Sequence, residues 1–374
     1  MDFKLSEDQE MLRSLARDFL SRECPKSRVR ELEEDEKGYD PRVWWRMAEL
    51  GWLGLVFPEE YEGSGASFLD LALLVEEMGR NILPGPFLST VSCALPLLEY
   101  GTGEQKANFL PGIARGEKIW TLALAEAPGG YKAGEMKTRA RREGGDYVVE
   151  GEKLFVPDAH IADYLLVAAR SGKAGGRGTV LLIVNAGSPG IEVEVIPTIS
   201  RDKQCRLAFK GVKVPRGNIL GGAGRGGEIA DFILERAAVL KCAEVAGGCQ
   251  AVVEMTNAYA KERVQFDKPI GSFQAIQHRL VDMFVSVEGL RYLVYQAAWE
   301  ISVGSPSLMR ISLAKVKANE IYQRVCLDGI GIHGATGFTR EHDIGLYFRR
   351  VKAAEFALGD SDFWCERAAV ELGL

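Results

Sequence analysis

Apolar residues recur at helical spacing over the first third of the chain. Met11, Leu12, Leu15, Ala16, Phe19 and Leu20 share one face, with Ser6 as N-cap ahead of Glu7 and Glu10, so Ser6–Glu34 reads as helical. Pro41–Leu50, Leu69–Met78 and Ser89–Tyr100 read as further helices, and Gly51–Gly65, with its glycine and proline stops, reads as a loop. Near Trp120 the period changes. Asp146–Glu150, Tyr164–Ala168, Thr179–Val184, Ile191–Ile196 and Val212–Val214 are short β-branched runs separated by turn residues such as Gly144-Gly145 and Ser188-Pro189-Gly190, which predicts a compact domain of antiparallel strands. The glycine-rich stretch Gly221–Gly227 closes it. The helical period then returns in Glu235–Glu262, Phe273–Ala298, Ser307–Leu327 and Phe363–Leu372, where the Gly247-Gly248 pair predicts close approach of another helix. Helices, strands, then helices make an α+β chain with segregated elements, divided as 1–117, 118–222 and 223–374.

Composition narrows the function classes. A net charge of −6 excludes a dominant phosphate-neutralising surface, so no nucleic-acid partner is expected. The basic run Arg139-Ala140-Arg141-Arg142 reads as a solvated face. Seven scattered cysteines without a C-x-x-C spacing read as reduced thiols, and four histidines without H-E-x-x-H leave no metal site. The N-terminus lacks the apolar core of a signal peptide, and no apolar run is long enough to span a bilayer. The expectation is a cytoplasmic protein without membrane attachment.

The most informative chemistry lies in two late segments. Arg263-Val-Gln-Phe266-Asp-Lys-Pro-Ile-Gly-Ser-Phe-Gln274-Ala-Ile-Gln277-His278 is followed by Gly331-Ile-His333-Gly334-Ala-Thr-Gly337-Phe338. A guanidinium can fork onto phosphate oxygens, a phenyl ring offers a face to a heterocycle, and amide side chains can bond its edge. Gly334 and Gly337 permit close backbone approach. This set suits a large, anionic, partly aromatic cofactor. The alternative is a surface Arg263 paired with Glu262 or Asp267, a core Phe266 and an ordinary interhelical turn. His333 and His278 read as packing groups.

These segments resemble the flavin-contacting stretches of the acyl-CoA dehydrogenase family. So do Gly51-Trp-Leu-Gly-Leu55, Pro58-Glu-Glu-Tyr61, Glu76-Glu-Met-Gly-Arg80, Glu126, Lys137-Thr138, Gly151-Glu-Lys153-Leu-Phe155-Val156 and Phe209-Lys-Gly-Val212-Lys-Val-Pro215, in family order over the whole chain. The resemblance implies an N-terminal helical domain, a middle β-barrel and a C-terminal four-helix bundle. It implies FAD as cofactor, with Arg263, Phe266, Gln274, Gln277, Gly334, Gly337, Glu126 and Phe155 as cofactor-binding positions, the first four reaching a neighbouring subunit's flavin. It further implies α,β-desaturation of an acyl-CoA thioester, an electron-transfer flavoprotein as electron acceptor, and a tetramer.

The chain also departs from that pattern. Ala125, Tyr131 and Pro157-Asp158 stand where hydroxyl or amide residues are usual, and Gly331 stands where a Gln is common. Both family positions for the catalytic carboxylate are apolar: Leu358 in the run after Arg349-Arg350, and Ala237 counted back from Arg263. Glu235 sits two residues early, about 200° around a helix. Glu244, Asp360 and Asp362 are the other nearby acids. Three expectations follow: a base-lacking partner in an α2β2 assembly with a paralogous subunit; a lone dehydrogenase, as a homotetramer, with an atypical base; or a non-redox acyl-CoA-binding lyase, hydratase or structural subunit.

Overall fold

The computed structural model describes residues 4–127, 130–131, 135–172 and 178–374. By compactness it divides into two units, each assembled from separate stretches of chain: residues 1–30, 67–83 and 238–374 form one, and 31–66 and 84–237 the other.

The helical unit contains α1 (Glu7–Glu23), α4 (Phe68–Asn81), most of α7 (Gly226–Glu262), α8 (Gln274–Ser302), α9 (Leu308–His333), α10 (Ile344–Phe356) and α11 (Ser361–Glu371). Ser6 caps α1 with a reciprocal capping box to Gln9, as its spacing predicts. The predicted helix does not run on to Glu34: it breaks at Cys24-Pro25, because proline has no N–H to continue the ladder, and α2 (Lys26–Glu34) starts afresh. The Gly247 prediction holds, since a Cβ there would collide with the Glu76 carbonyl of α4, and one at Gly79 would collide with Glu244 of α7. Two backbones therefore touch where no side chain fits between them. Around that contact Glu76, nearly buried, accepts from the Arg291 guanidinium at 2.9 Å and the Tyr295 hydroxyl at 2.7 Å, and Arg17 forks onto Glu77. Helix α10 is one the hydrophobic pattern did not single out.

The other unit carries α3 (Pro41–Glu49), α5 (Phe87–Tyr100) and α6 (Gly103–Ala114) with one eight-stranded sheet. Its strands are β1 (Trp120–Ala123), β2 (Arg139–Glu143), β3 (Asp146–Pro157), β4 (Tyr164–Arg170), β5 (Thr179–Asn185), β6 (Ile191–Ile196), β7 (Gln204–Val214) and β8 (Ile219–Leu220), in the order β6-β7-β3-β2-β4-β5-β8 with β1 on β4. The β1–β4 pairing is parallel, a correction to the all-antiparallel expectation. Val149, Leu165, Val167, Val180, Leu182, Leu207 and Val212 meet in one buried apolar cluster. On β2 only Ala140 turns inward, so the arginines beside it are the solvated face predicted for them.

Among the described residues no helix is long and apolar enough to cross a membrane, and no three side chains group as a metal site.

Candidate functional site

In the helical unit the chain leaves α7 at Glu262 and folds at once into a two-residue hairpin. Val264–Gln265 (β9) pairs with Lys268–Pro269 (β10), with Phe266 and Asp267 as the loop. Both loop residues are left-handed, φ 54° and 62°. That turn favours Asn-Gly; a bulky residue in it costs about 1–2 kcal/mol. The strained residue is also bare: Phe266 is 86% exposed, its ring edge-on to Phe273 at 6.1 Å, while Lys268 stacks over Phe273. Strain maintained at an exposed aromatic points to presentation rather than packing.

Arg263 precedes this tip. Its backbone is fixed, the amide donating to the Tyr259 carbonyl at 2.8 Å and the carbonyl accepting from the Ile270 amide at 2.8 Å. Its exposed guanidinium has no hydrogen-bond or ion-pair partner among the described residues, so it is paired with neither Glu262 nor Asp267. Gln274 opens α8 exposed, after a Phe273 cap that offers no side-chain acceptor. Gln277, also exposed, donates to the Gly271 carbonyl at 3.0 Å. Gly334 takes φ 62° with nothing near a hypothetical Cβ, so backbone conformation demands glycine there and leaves its face open. At Gly337 a Cβ would lie 3.0 Å from His333 Cβ and 3.3 Å from the Ile330 carbonyl, so a larger residue would fit only if those neighbours gave way. His333 is buried, stacked on Tyr259, with Nδ1 2.8 Å from the Gly329 carbonyl, and burial pushes its pKa down. Its Nε2 is buried without a hydrogen-bond partner among the described residues.

In the sheet unit, Phe155 stands at an irregularity between β3 and β7, φ 51° and 57% exposed. Glu126 behaves differently. Its carboxylate accepts from the buried Lys153 ammonium at 2.7 Å and from the amides of Lys137 and Thr138 at 2.5 and 3.1 Å. Burial opposes its charge, but Lys153 and those amides hold its pKa below the usual carboxylate range. Burial in turn pushes Lys153 down to about 8 against the pull of Glu126. The side chain of Glu126 is thus committed inside the unit. Pro157 presents no N–H, and its carbonyl already accepts from the Thr121 hydroxyl at 2.5 Å. Asp158 is buried at φ 55°, within 3.4 Å of the Ser89 hydroxyl.

The two positions at which the resemblance places a base, Ala237 and Leu358, are apolar. Ala237 is buried within continuous α7. Glu235, two residues earlier, lies 3.8 Å from the Arg236 guanidinium. Glu244 pairs with Lys241 one turn away. Asp360 caps α11, accepting from the Phe363 amide at 2.9 Å. Asp362 is exposed in the first turn of α11. Leu358 is left-handed at φ 61°, its carbonyl accepting from the Trp364 indole at 3.0 Å; Gly359 follows at φ 100°, buried against Phe363 and Trp364.

Beside this turn is a group the motifs did not reveal. Lys315, 1% exposed, donates to Asn319 Oδ1 at 2.7 Å and to the carbonyls of Ala354 and Glu355 at 2.9 and 3.2 Å. The signal was present: Lys315 falls on the buried stripe Ile311, Ala318, Tyr322, where a solvated lysine has no place.

The bundle residues fit FAD: a guanidinium without a partner among the described residues, a bare aromatic face and an open glycine turn match a pyrophosphate-bearing dinucleotide. The sheet residues fit it less fully, offering the ring of Phe155 but little polar side chain.

Family models described as acyl-CoA dehydrogenase N-terminal, middle and C-terminal domains match residues 6–117, 121–212 and 224–372. A probable acyl-CoA dehydrogenase of Bacillus subtilis (strain 168) is 34% identical, with 97% of each chain covered. The structure of butyryl-CoA dehydrogenase from Megasphaera elsdenii superposes with TM-score 0.93 at 29% identity, covering 100% of both chains. A chain of the ChsE4-ChsE5 complex from Mycobacterium tuberculosis gives 0.92 at 29%, covering 100% of this chain and 99% of that one.

Proposed function

This chain belongs to the acyl-CoA dehydrogenase family of FAD-dependent oxidoreductases, and from that premise we propose that it is the base-lacking partner in an α2β2 assembly that desaturates an acyl-CoA thioester. The observation that carries this reading is the coexistence of presented flavin-type contacts at Arg263 and Phe266 with Leu358 and Ala237 at both base positions. The chemistry needs a carboxylate to take the proton from Cα. Leucine cannot do so; Glu235, Glu244 and Asp360 each have a partner of their own, and Asp362 is exposed to solvent in the first turn of α11. Bound FAD supplies the acceptor for the hydride that leaves Cβ.

The candidate-site residues of this chain would act on the cofactor, and removal of the thioester's proton would fall to the companion chain. Arg263 would neutralise pyrophosphate charge, Phe266 would cover a ring face, Gln274 and Gln277 would bond an edge, and the backbone at Gly334 would lie close against the ligand, for a flavin held largely by a neighbouring subunit. Gly337 supports that turn by packing. Phe155 would cover its own subunit's flavin, and Glu126 would contribute through the segment it braces. An electron-transfer flavoprotein would take the electrons onward, in the cytoplasm. The segments 1–117, 118–222 and 223–374 serve as the functional modules. The ChsE4-ChsE5 complex, a two-chain relative, supports the heteromeric form.

Co-expression with a paralogue that carries the base tests this. The expected result is a stable two-chain assembly with fewer than one FAD per chain and desaturase activity absent from either chain alone. Full activity from this chain without a companion would overturn it in favour of a homotetramer with an atypical base. A purified assembly without a flavin spectrum would favour the non-redox reading.

A further inference from the structure

We propose that Lys315 is a positioning residue: with Trp364 and Asn319 it locks the turn Ala357–Asp360, and so fixes the direction of whatever side chain stands at position 358. The proposal rests on the reading above that position 358 is where the family keeps its base, so that this turn would border a thioester site.

The last carbonyls of a helix have no partner within it. At the end of α10 two of them, Ala354 and Glu355, are met by one internal ammonium rather than by water. With Asn319 Oδ1 they supply three acceptors for three N–H bonds, all neutral oxygens. Asn319 then donates to the Ser361 hydroxyl at 3.2 Å, at the start of α11, and Trp364 donates to the Leu358 carbonyl. The turn is therefore held from its near end, its far end and its middle. An exposed lysine or a glycine cap would end a helix without burying a charge. What the buried ammonium adds is a defined turn, with two successive left-handed residues of which one is a leucine. Burial pushes Lys315 down to about 8, with Cys242 and Lys241 of α7, Glu355 of α10 and Asp360 before α11 around it. Loss of its proton leaves two donors for three acceptors.

The test uses the FAD-loaded protein, with its partner where one co-purifies, and the variants Lys315→Met and Trp364→Phe. Amide exchange at residues 356–361 and calorimetric binding of butyryl-CoA and octanoyl-CoA are measured. Lys315→Met should speed exchange in the turn about tenfold and weaken the better-bound thioester about tenfold, with flavin content unchanged. In the wild type, thioester affinity should decline as pH rises through about 8, and in Lys315→Met it should not. Trp364→Phe, which removes one bond to the same turn, should act in the same direction if Lys315→Met does not fold. Unaltered exchange, or faster exchange with unaltered thioester affinity and pH profile, overturns the proposal. A wild type that binds neither thioester overturns the proposed function, and the exchange data then decide separately whether Lys315 holds the turn.

Discussion

The sheet unit and the bundle unit each present one left-handed, solvent-facing phenylalanine, and they differ in what surrounds it. Near Phe155 the polar groups are turned inward: Glu126 is bound by Lys153 and two amides, and the Pro157 carbonyl is bound by Thr121. Near Phe266 they are turned outward, with Arg263 unpartnered among the described residues and Gln274 exposed at the start of α8. A side chain can serve a ligand only if the fold has not already satisfied it. The same contrast separates two buried lysines: Lys153 has a carboxylate partner, whereas Lys315 is held by neutral oxygens. The first braces a strand, and the second braces a turn.

The largest effect expected is on stability in the sheet unit. Lys153→Met leaves the Glu126 carboxylate buried without its cation and should cost about 3–5 kcal/mol, seen as a lowered unfolding midpoint in urea. Flavin affinity of the folded fraction should fall only a few-fold, through the loosened segment that Glu126 braces; a larger selective loss of flavin would mean that Glu126 touches the cofactor itself. In the bundle unit the effect should be reversed. Arg263→Gln should weaken FAD binding to the apoprotein roughly 10–100-fold, the range of one charge-assisted bond, and leave stability within about 0.5 kcal/mol. Phe155→Ala should weaken it only a few-fold, so equal losses from the two variants would erase the distinction between the halves.

Replacing Phe266-Asp267 by Asn-Gly sharpens the contrast further. Relief of the left-handed turn should stabilise the protein by about 1–2 kcal/mol, read by thermal unfolding, while FAD affinity declines. A variant that gains stability and keeps its flavin would show that Phe266 is not used. The smallest effect concerns pH. Lys153 and Lys315 both have folded values near 8 against an ordinary 10.5, so between those limits the unfolded chain binds more protons and stability from these groups rises with pH. Thermal unfolding of wild type against Lys315→Met from pH 7.5 to 10 should therefore show the difference moving in favour of the wild type.

Much of the fold was legible because amphipathic periods and turn residues are local. The segregation of helices and strands, the Ser6 cap, β6 at Ile191–Ile196 and the close approach at Gly247 all follow from nearest-neighbour patterns. The break at Pro25 was legible too, since the proline stands inside the predicted helix. Strand β1 was not, because four residues buried on both faces show no alternation. Helix α10 was masked by its charges, Arg349, Arg350 and Lys352, which lie among an apolar face of Ile344, Leu346, Tyr347 and Val351. At the candidate site, residue types were readable but their availability was not: Glu126 and Arg263 look equally free in the sequence.

The sequence by itself determined the order of elements, the family motifs and the lack of a carboxylate at positions 237 and 358, because these depend on residue identity along the chain. Only the tertiary structure decided that the compact units are built from discontinuous stretches, that Glu126 is bound within its own unit, and that Lys315 lies buried against the turn at Leu358. Those outcomes depend on which distant groups meet in a low-dielectric interior, where a polar atom must find a partner. No local pattern encodes which partner that is.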